Sequence, residues 1–177
     1  MKKKFSKNKG ILFWITGLSG SGKSSIGKSI KKNITKLYGP SLLINGDNLR
    51  KIFNLHDYTK KGRLKSGIKY IEFLKFITNQ KINVIFCVIG MFHKLRSYNK
   101  KNIKNYVEIY IKTDIKKIIL QNKKKIYLKK KNVVGVDIVP ELPRSPDIIL
   151  KNNFTKNVNN LSIELINKIN KLKIKFI

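Results

Sequence analysis

GLSGSGKSS, residues 17–25, sits between the apolar run GILFWIT (residues 10–16) and IGKSIKKNITKLYG (residues 26–39), whose apolar positions recur at helical spacing. The spacing predicts a strand, a tight loop and a helix. Gly17, Leu18, Ser19, Gly20, Ser21, Gly22, Lys23 and Ser24 satisfy G-x-x-x-x-G-K-[ST] in full. In that pattern backbone N–H groups turn toward phosphate oxygens, the lysine reaches the β- and γ-phosphates, and the final hydroxyl ligates Mg²⁺. Glycines are needed because a Cβ would obstruct the turn or the phosphate. Residues 17–25, Ser25 included, are therefore the expected ATP-binding segment, with Lys23 as a catalytic cation and Ser24 as the metal ligand.

Working outward, strands and helices alternate. SLLIN (41–45) reads as a strand running into GDNLRKIFN, where Asp47 caps a short helix at the strand's carboxyl end. Residues 63–80 read as an amphipathic helix, KINVIFCVIG (81–90) as a buried strand and residues 94–104 as another helix. YVEIYIK (106–112) alternates as a strand, and Thr113 and Asp114 open the helix DIKKIILQN. Residues 133–147 are rich in proline and turn formers, DIILKN gives a last strand, and a helix follows at 157–172. This order predicts an α/β protein, a P-loop NTPase-type three-layer fold with a mostly parallel sheet covered by helices on both faces. Ligands should lie at the carboxyl ends of its strands. At 177 residues the chain suits one domain, with a lid at about 122–135.

The net charge of +31 raises a nucleic-acid reading. Against it, lysines are scattered over every segment, only four arginines occur, and Asn and Ile are also abundant, as AT-rich codons would give. The expectation is a solvated lysine surface that steers anionic small molecules, with nucleic acid unlikely as a partner. MKKKFSKNKG before ILFWITGLSG imitates a signal peptide, but the apolar run is better used as the strand feeding the loop. No run approaches the ~18 apolar residues of a membrane span. The lone Cys87 lies within an apolar block and reads as a buried thiol in a reducing, cytoplasmic setting. His56 and His93 lack companions at metal-ligand spacing.

A switch GTPase or motor would carry an apolar strand ending in Asp and, for guanine, N-K-x-D; VIFCVIG ends in glycine, and no N-K-x-D occurs. A small-metabolite kinase needs less: the loop, a base for the acceptor hydroxyl and a cationic cover. Asp47 is the candidate base, with helix capping as its alternative role. The scarce Arg50 and Arg63 suit bidentate anion recognition. Lys123, Lys124, Lys125, Lys129, Lys130 and Lys131 supply either a cover for the triphosphate or a solvated face.

Together FWITGLSGSGKSS, INGDNLR, VIFCVIG, KKIY and NVVGVDIVPELPRSPDIIL resemble the adenylylsulfate (APS) kinase family over about residues 11–152. The resemblance implies transfer of the γ-phosphoryl of MgATP to the 3′-hydroxyl of adenosine 5′-phosphosulfate. It implies Asp47 as base, Arg50 and Arg63 as substrate-anion contacts, Tyr58 as a ring stacking on the acceptor base, and Lys124 and Tyr127 in the lid. The backbone at Ile89 and Gly90 would line the nucleoside site, and a homodimer is compatible. Departures bear on the acceptor. The family's I-S-P-Y-R is Ile89-Gly90-Met91-Phe92-His93, its lid arginine is Gln121, and a second stacking aromatic is Val133. APS is the family's acceptor; a related nucleotide such as cytidine diphosphoramidate, used in capsule synthesis, is the alternative. A nucleotide-binding protein without transferase activity is the rival of another class.

Overall fold

The computed structural model describes residues 3–121, 127 and 131–177. Among these, the strands are β1 (Lys4–Phe5), β2 (Leu12–Thr16), β3 (Ser41–Asn45), β4 (Asn83–Val88), β5 (Tyr106–Lys112), β6 (Ile148–Lys151) and β7 (Lys175–Phe176). The helices are α1 (Lys23–Tyr38), α2 (Gly46–Ile52), α3 (Lys60–Asn79), α4 (His93–Asn102), α5 (Ile115–Leu120) and α6 (Val158–Lys171).

Five strands form one sheet in the order β3-β4-β2-β5-β6, and every pairing is parallel. Parallel strands need crossovers that bury both faces, and the central strands accordingly carry apolar side chains on both. Leu12, Trp14, Phe86 and Tyr106 face one layer with Leu74 and Leu95 of α3 and α4. Phe13, Ile15, Ile85 and Ile109 face the other, with Ile26, Ile30 and Ile34 of α1 and Leu161 and Leu165 of α6. Each such side chain taken fully out of water contributes about 1.5–3 kcal/mol, so these two layers hold the fold. The helix spacing seen in IGKSIKKNITKLY is thus a contact face, and α1 stops at Gly39, whose N–H donates to Thr35 O.

The expected three-layer α/β fold is present, with three local corrections. Helix α3 begins at Lys60, three residues before the expected start, because the Thr59 side chain accepts from Gly62 N and anchors the first turn. Asp57 holds that cap in turn, accepting from Thr59 N at 2.9 Å and from its hydroxyl at 2.6 Å. Asp47 does not cap α2: Asn45 occupies the N-cap position, without a side-chain cap bond, and Asp47 lies exposed in the first turn. The two-stranded parallel pair β1-β7, which joins the chain's two ends, was not expected. Lys3 secures it, with Nζ 2.7 Å from Asp147 Oδ2. Among the described residues no helix is long and apolar enough to cross a membrane.

The order of strands decides where the site forms. β3, β4 and β2 are neighbours, so the loops leaving their carboxyl ends (residues 46–58, 89–92 and 17–22) converge on one edge of the sheet.

Candidate active site

A cavity of about 610 Å³ opens at this edge. Ser19, Gly20, Gly22, Lys23, Ser24 and Ser25 form its floor, and Asp47, Arg50, Tyr58, Arg63, Ile89 and Gly90 form one wall. Residues 30 to 70 positions apart in sequence are brought into one concavity. Gly17, Leu18 and Ser21 are buried behind the loop and do not form the wall. Lys124 and the lysines at 123, 125, 129 and 130 lie outside the described residues.

The loop is braced from behind. Lys23, nearly buried at the first position of α1, donates from Nζ to Leu18 O at 2.6 Å, so its ammonium lies across the loop where phosphates would sit. Tyr127 donates from its hydroxyl to Ser19 O at 2.6 Å, and burial pushes that phenol up to about 12. Cys87 Sγ lies 3.3 Å from Lys23 O, and burial pushes its thiol up to about 12. It is an inert donor under the loop, as its apolar setting in sequence suggested.

The wall is cationic and ordered by backbone acceptors. Arg50 Nη1 donates to Leu55 O at 2.9 Å and to Asp57 O at 3.1 Å. Arg63 Nε donates to Tyr58 O and Nη2 to Asn132 O, both at 2.9 Å. Their guanidinium carbons lie 4.4 and 5.4 Å from the Tyr58 ring centroid. Burial first, then the Arg50 charge, lowers the Arg63 guanidinium from its ordinary value, with Asp47 opposing. Two desolvated guanidiniums with this little opposing charge make a strong anion site. Tyr58 is expected to stack on a base, and here it is already engaged with both arginines.

Gly90 explains one departure from the family's pattern. Its φ of 44° is left-handed, and a Cβ there would meet Trp14 Cζ2 at 2.7 Å. Trp14 is fully buried against Phe86, ring centroids 5.2 Å apart, so it cannot retreat. The indole occupies the space a serine side chain would need. Val133 is buried at 4% exposure within the core, where it presents no face for stacking.

Sequence reasoning missed Glu141, which lies in the PELP stretch and clamps the segment beside Gly90. Glu141 N donates to Met91 O at 2.9 Å, and His93 N donates to Glu141 Oε2 at 2.6 Å. Arg96 Nη2 donates to Glu141 O at 2.6 Å, while its Nε lies 3.3 Å from buried Glu108 Oε1. The residue type was visible, but its partners are about 45 residues away and carry no local signal. Also missed were Asn152, Phe154, Lys156 and Asn157, which line the cavity on the side opposite Asp47.

No group of three or more His, Cys, Asp or Glu able to hold a metal occurs among the described residues. The donors that fit Mg²⁺ are Ser24, nucleotide phosphates and water, a set that suits an ion that keeps several waters. A loop for a triphosphate facing a carboxylate and two arginines is a phosphoryl-transfer arrangement.

Comparison with known proteins agrees. The adenylylsulphate kinase family model matches residues 9–151. This chain belongs to that family. A cytidine diphosphoramidate kinase from Campylobacter jejuni is 36% identical over 167 residues, covering 92% of this chain and 97% of that protein. An adenylyl-sulfate kinase from Clostridium kluyveri is 31% identical over 161 residues, covering 87% and 81%. The Mycobacterium tuberculosis APS kinase, solved with AMPPNP and APS, superposes with a TM-score of 0.80 at 21% identity, covering 92% of this chain and 98% of that one. A shikimate kinase from Acinetobacter baumannii shares the fold with a TM-score of 0.66. As an adenylylsulphate kinase family member, the protein is an ATP-dependent phosphotransferase.

Proposed function

We propose that this kinase phosphorylates a ribose hydroxyl of a nucleotide that carries a 5′-phospho-anhydride, with cytidine diphosphoramidate as the acceptor the site fits best. The observation that supports the nucleotide class is the Arg50–Arg63 pair, ordered beside Tyr58 on the wall next to Asp47. The acceptor's anhydride lies against the two guanidiniums, which places its ribose between Asp47 and the loop.

In the transfer, the Asp47 carboxylate takes the proton of the acceptor hydroxyl, whose oxygen forms the new bond to the γ-phosphorus. The bond to the β,γ-bridging oxygen breaks in line, and ADP leaves with that electron pair. Lys23 and the loop N–H groups hold the β- and γ-phosphates where the charge develops. Mg²⁺ bound with the nucleotide would neutralise charge on those phosphates, with Ser24 as its protein ligand. A phosphoserine at position 90 is not part of this route.

The base contact separates the acceptors. Burial of Val133 leaves Tyr58 without a second ring opposite it, and a purine loses more stacking than a smaller pyrimidine when one platform is missing. The end-to-end similarity to a cytidine diphosphoramidate kinase supports the same choice. APS is the second reading, favoured by the family match and the adenylyl-sulfate kinase relatives. ADP release from ATP, measured with each acceptor in turn, decides: kcat/KM higher for cytidine diphosphoramidate supports the first, and higher for APS the second. ATP binding with stimulation by neither would refute both.

A further inference from the structure

The cavity has a second lobe beyond the phosphate loop, away from Asp47, lined by Gln121, Asn152, Phe154, Lys156 and Asn157. With the acceptor on the Asp47 side, a triphosphate on the loop directs its nucleoside into this lobe. Phe154 stands there with a φ of 62°, a left-handed conformation that is rare for a bulky residue and clusters at functional sites. It packs against the core while also facing the cavity.

Asn152 sets that conformation and ties it to the loop. The Asn152 side chain is nearly buried; its Oδ1 accepts from Phe154 N at 3.0 Å and its Nδ2 donates to Ser21 O at 3.0 Å. A Cβ on Gly22 would meet that same Nδ2 at 2.9 Å, so loop and amide are in close contact. The other polar side chains of the lobe are also engaged. Asn157 Oδ1 caps α6 by accepting from Asn160 N at 2.9 Å, and Lys156 Nζ lies 2.8 Å from Glu164 Oε2. Gln121 is an amide that offers a donor and an acceptor alike, so it suits the 6-amino edge of adenine and the 6-oxo edge of guanine equally.

Resting on the kinase reading above, we infer that Phe154, positioned by Asn152, is the stacking platform for the donor base, and that the donor is selected by its triphosphate, so that GTP serves alongside ATP. Stacking is tolerant of base identity because every base has a π-face. Discrimination would need fixed hydrogen-bonding side chains, and those of the lobe are engaged in holding the protein together.

Equilibrium binding of MgATP and MgGTP, without acceptor, tests this on the full chain. Wild type should bind the two within about tenfold of each other. Phe154→Asn removes the ring at a φ that asparagine tolerates, so its melting temperature should hold while both affinities fall about ten- to a hundredfold. Phe154→Trp should keep wild-type affinity. Asn152→Ala should weaken both nucleotides in the wild-type background and add little in the Phe154→Asn background, a coupling that a purely structural role would not produce. Unchanged ATP affinity in Phe154→Asn, or GTP binding more than about tenfold weaker than ATP, overturns the inference. A wild type that binds neither triphosphate defeats the kinase reading itself, which distinguishes the two failures.

Discussion

Replacing Gly90 with serine restores the residue the family carries there, and the structure predicts that this chain will not accept it. The new Cβ would meet Trp14 Cζ2 at 2.7 Å, and also Val88 Cγ1 at 3.0 Å. Overpacking of this kind costs about 1–3 kcal/mol. The left-handed φ of 44° adds about 1–2 kcal/mol for any residue with a Cβ. The sum is about 2–5 kcal/mol, and for a chain of this length each kcal/mol lowers the melting temperature by about 2–4 °C. Thermal unfolding followed by circular dichroism should therefore show a loss on the order of 5–15 °C. Gly90→Ala should lose as much, because the Cβ and not the hydroxyl makes the contact. Trp14→Phe should cost less in the Gly90→Ser background than alone, with a coupling of about 1 kcal/mol or more. Gly90→Ser that melts within about 2 °C of wild type would refute both the contact and the strained backbone.

Other expectations follow from the same geometry. Asp47→Asn should lower kcat by about a hundredfold or more while leaving ATP affinity intact, since Asp47 meets the acceptor and not the loop; single-turnover assays beside nucleotide titration check this. Tyr58→Ala should raise the acceptor KM without changing the ATP KM, read from initial rates at saturating partner. Folding keeps the Cys87 thiol and the Tyr127 phenol protonated up to about 12, above their ordinary 9.0 and 10.0. Between those values the native state binds more protons than the unfolded one, so stability present below pH 9 should fall as pH rises toward 12. Denaturant titrations at pH 8 and pH 10.5 test the sign, and a Cys87→Ala variant should flatten part of the slope.

What the sequence made legible was local or periodic. The strand–loop–helix around GLSGSGKSS, the alternation of YVEIYIK and the spacing of the α1 apolar residues each follow from chemistry within a few neighbours, and β5 was read to its ends. Asp47, Arg50 and Arg63 were found because carboxylates and arginines are rare in this chain, which made each one conspicuous. The capping role weighed for Asp47 was wrong because Asn45 had the same claim one turn of chain earlier, and sequence alone does not say which residue keeps extended backbone. Residues whose role depends on distant partners left no such mark. Glu141 acts on Met91 and His93, and Asn152 reaches back 131 positions to Ser21. Phe154 looked like a turn residue, since nothing in NNFTKN announces a left-handed phenylalanine facing a cavity.

The central claim is that this cavity moves the γ-phosphoryl of ATP onto a nucleotide hydroxyl. Incubating the purified protein with MgATP and cytidine diphosphoramidate, and in parallel with APS, and following both ADP and phosphorus NMR of the products, tests it directly. The account predicts ADP formed in step with a new phosphomonoester on the acceptor ribose, faster with the cytidine compound and abolished by Lys23→Ala. ADP formation that neither acceptor stimulates, with no phosphorylated nucleotide product, would contradict it.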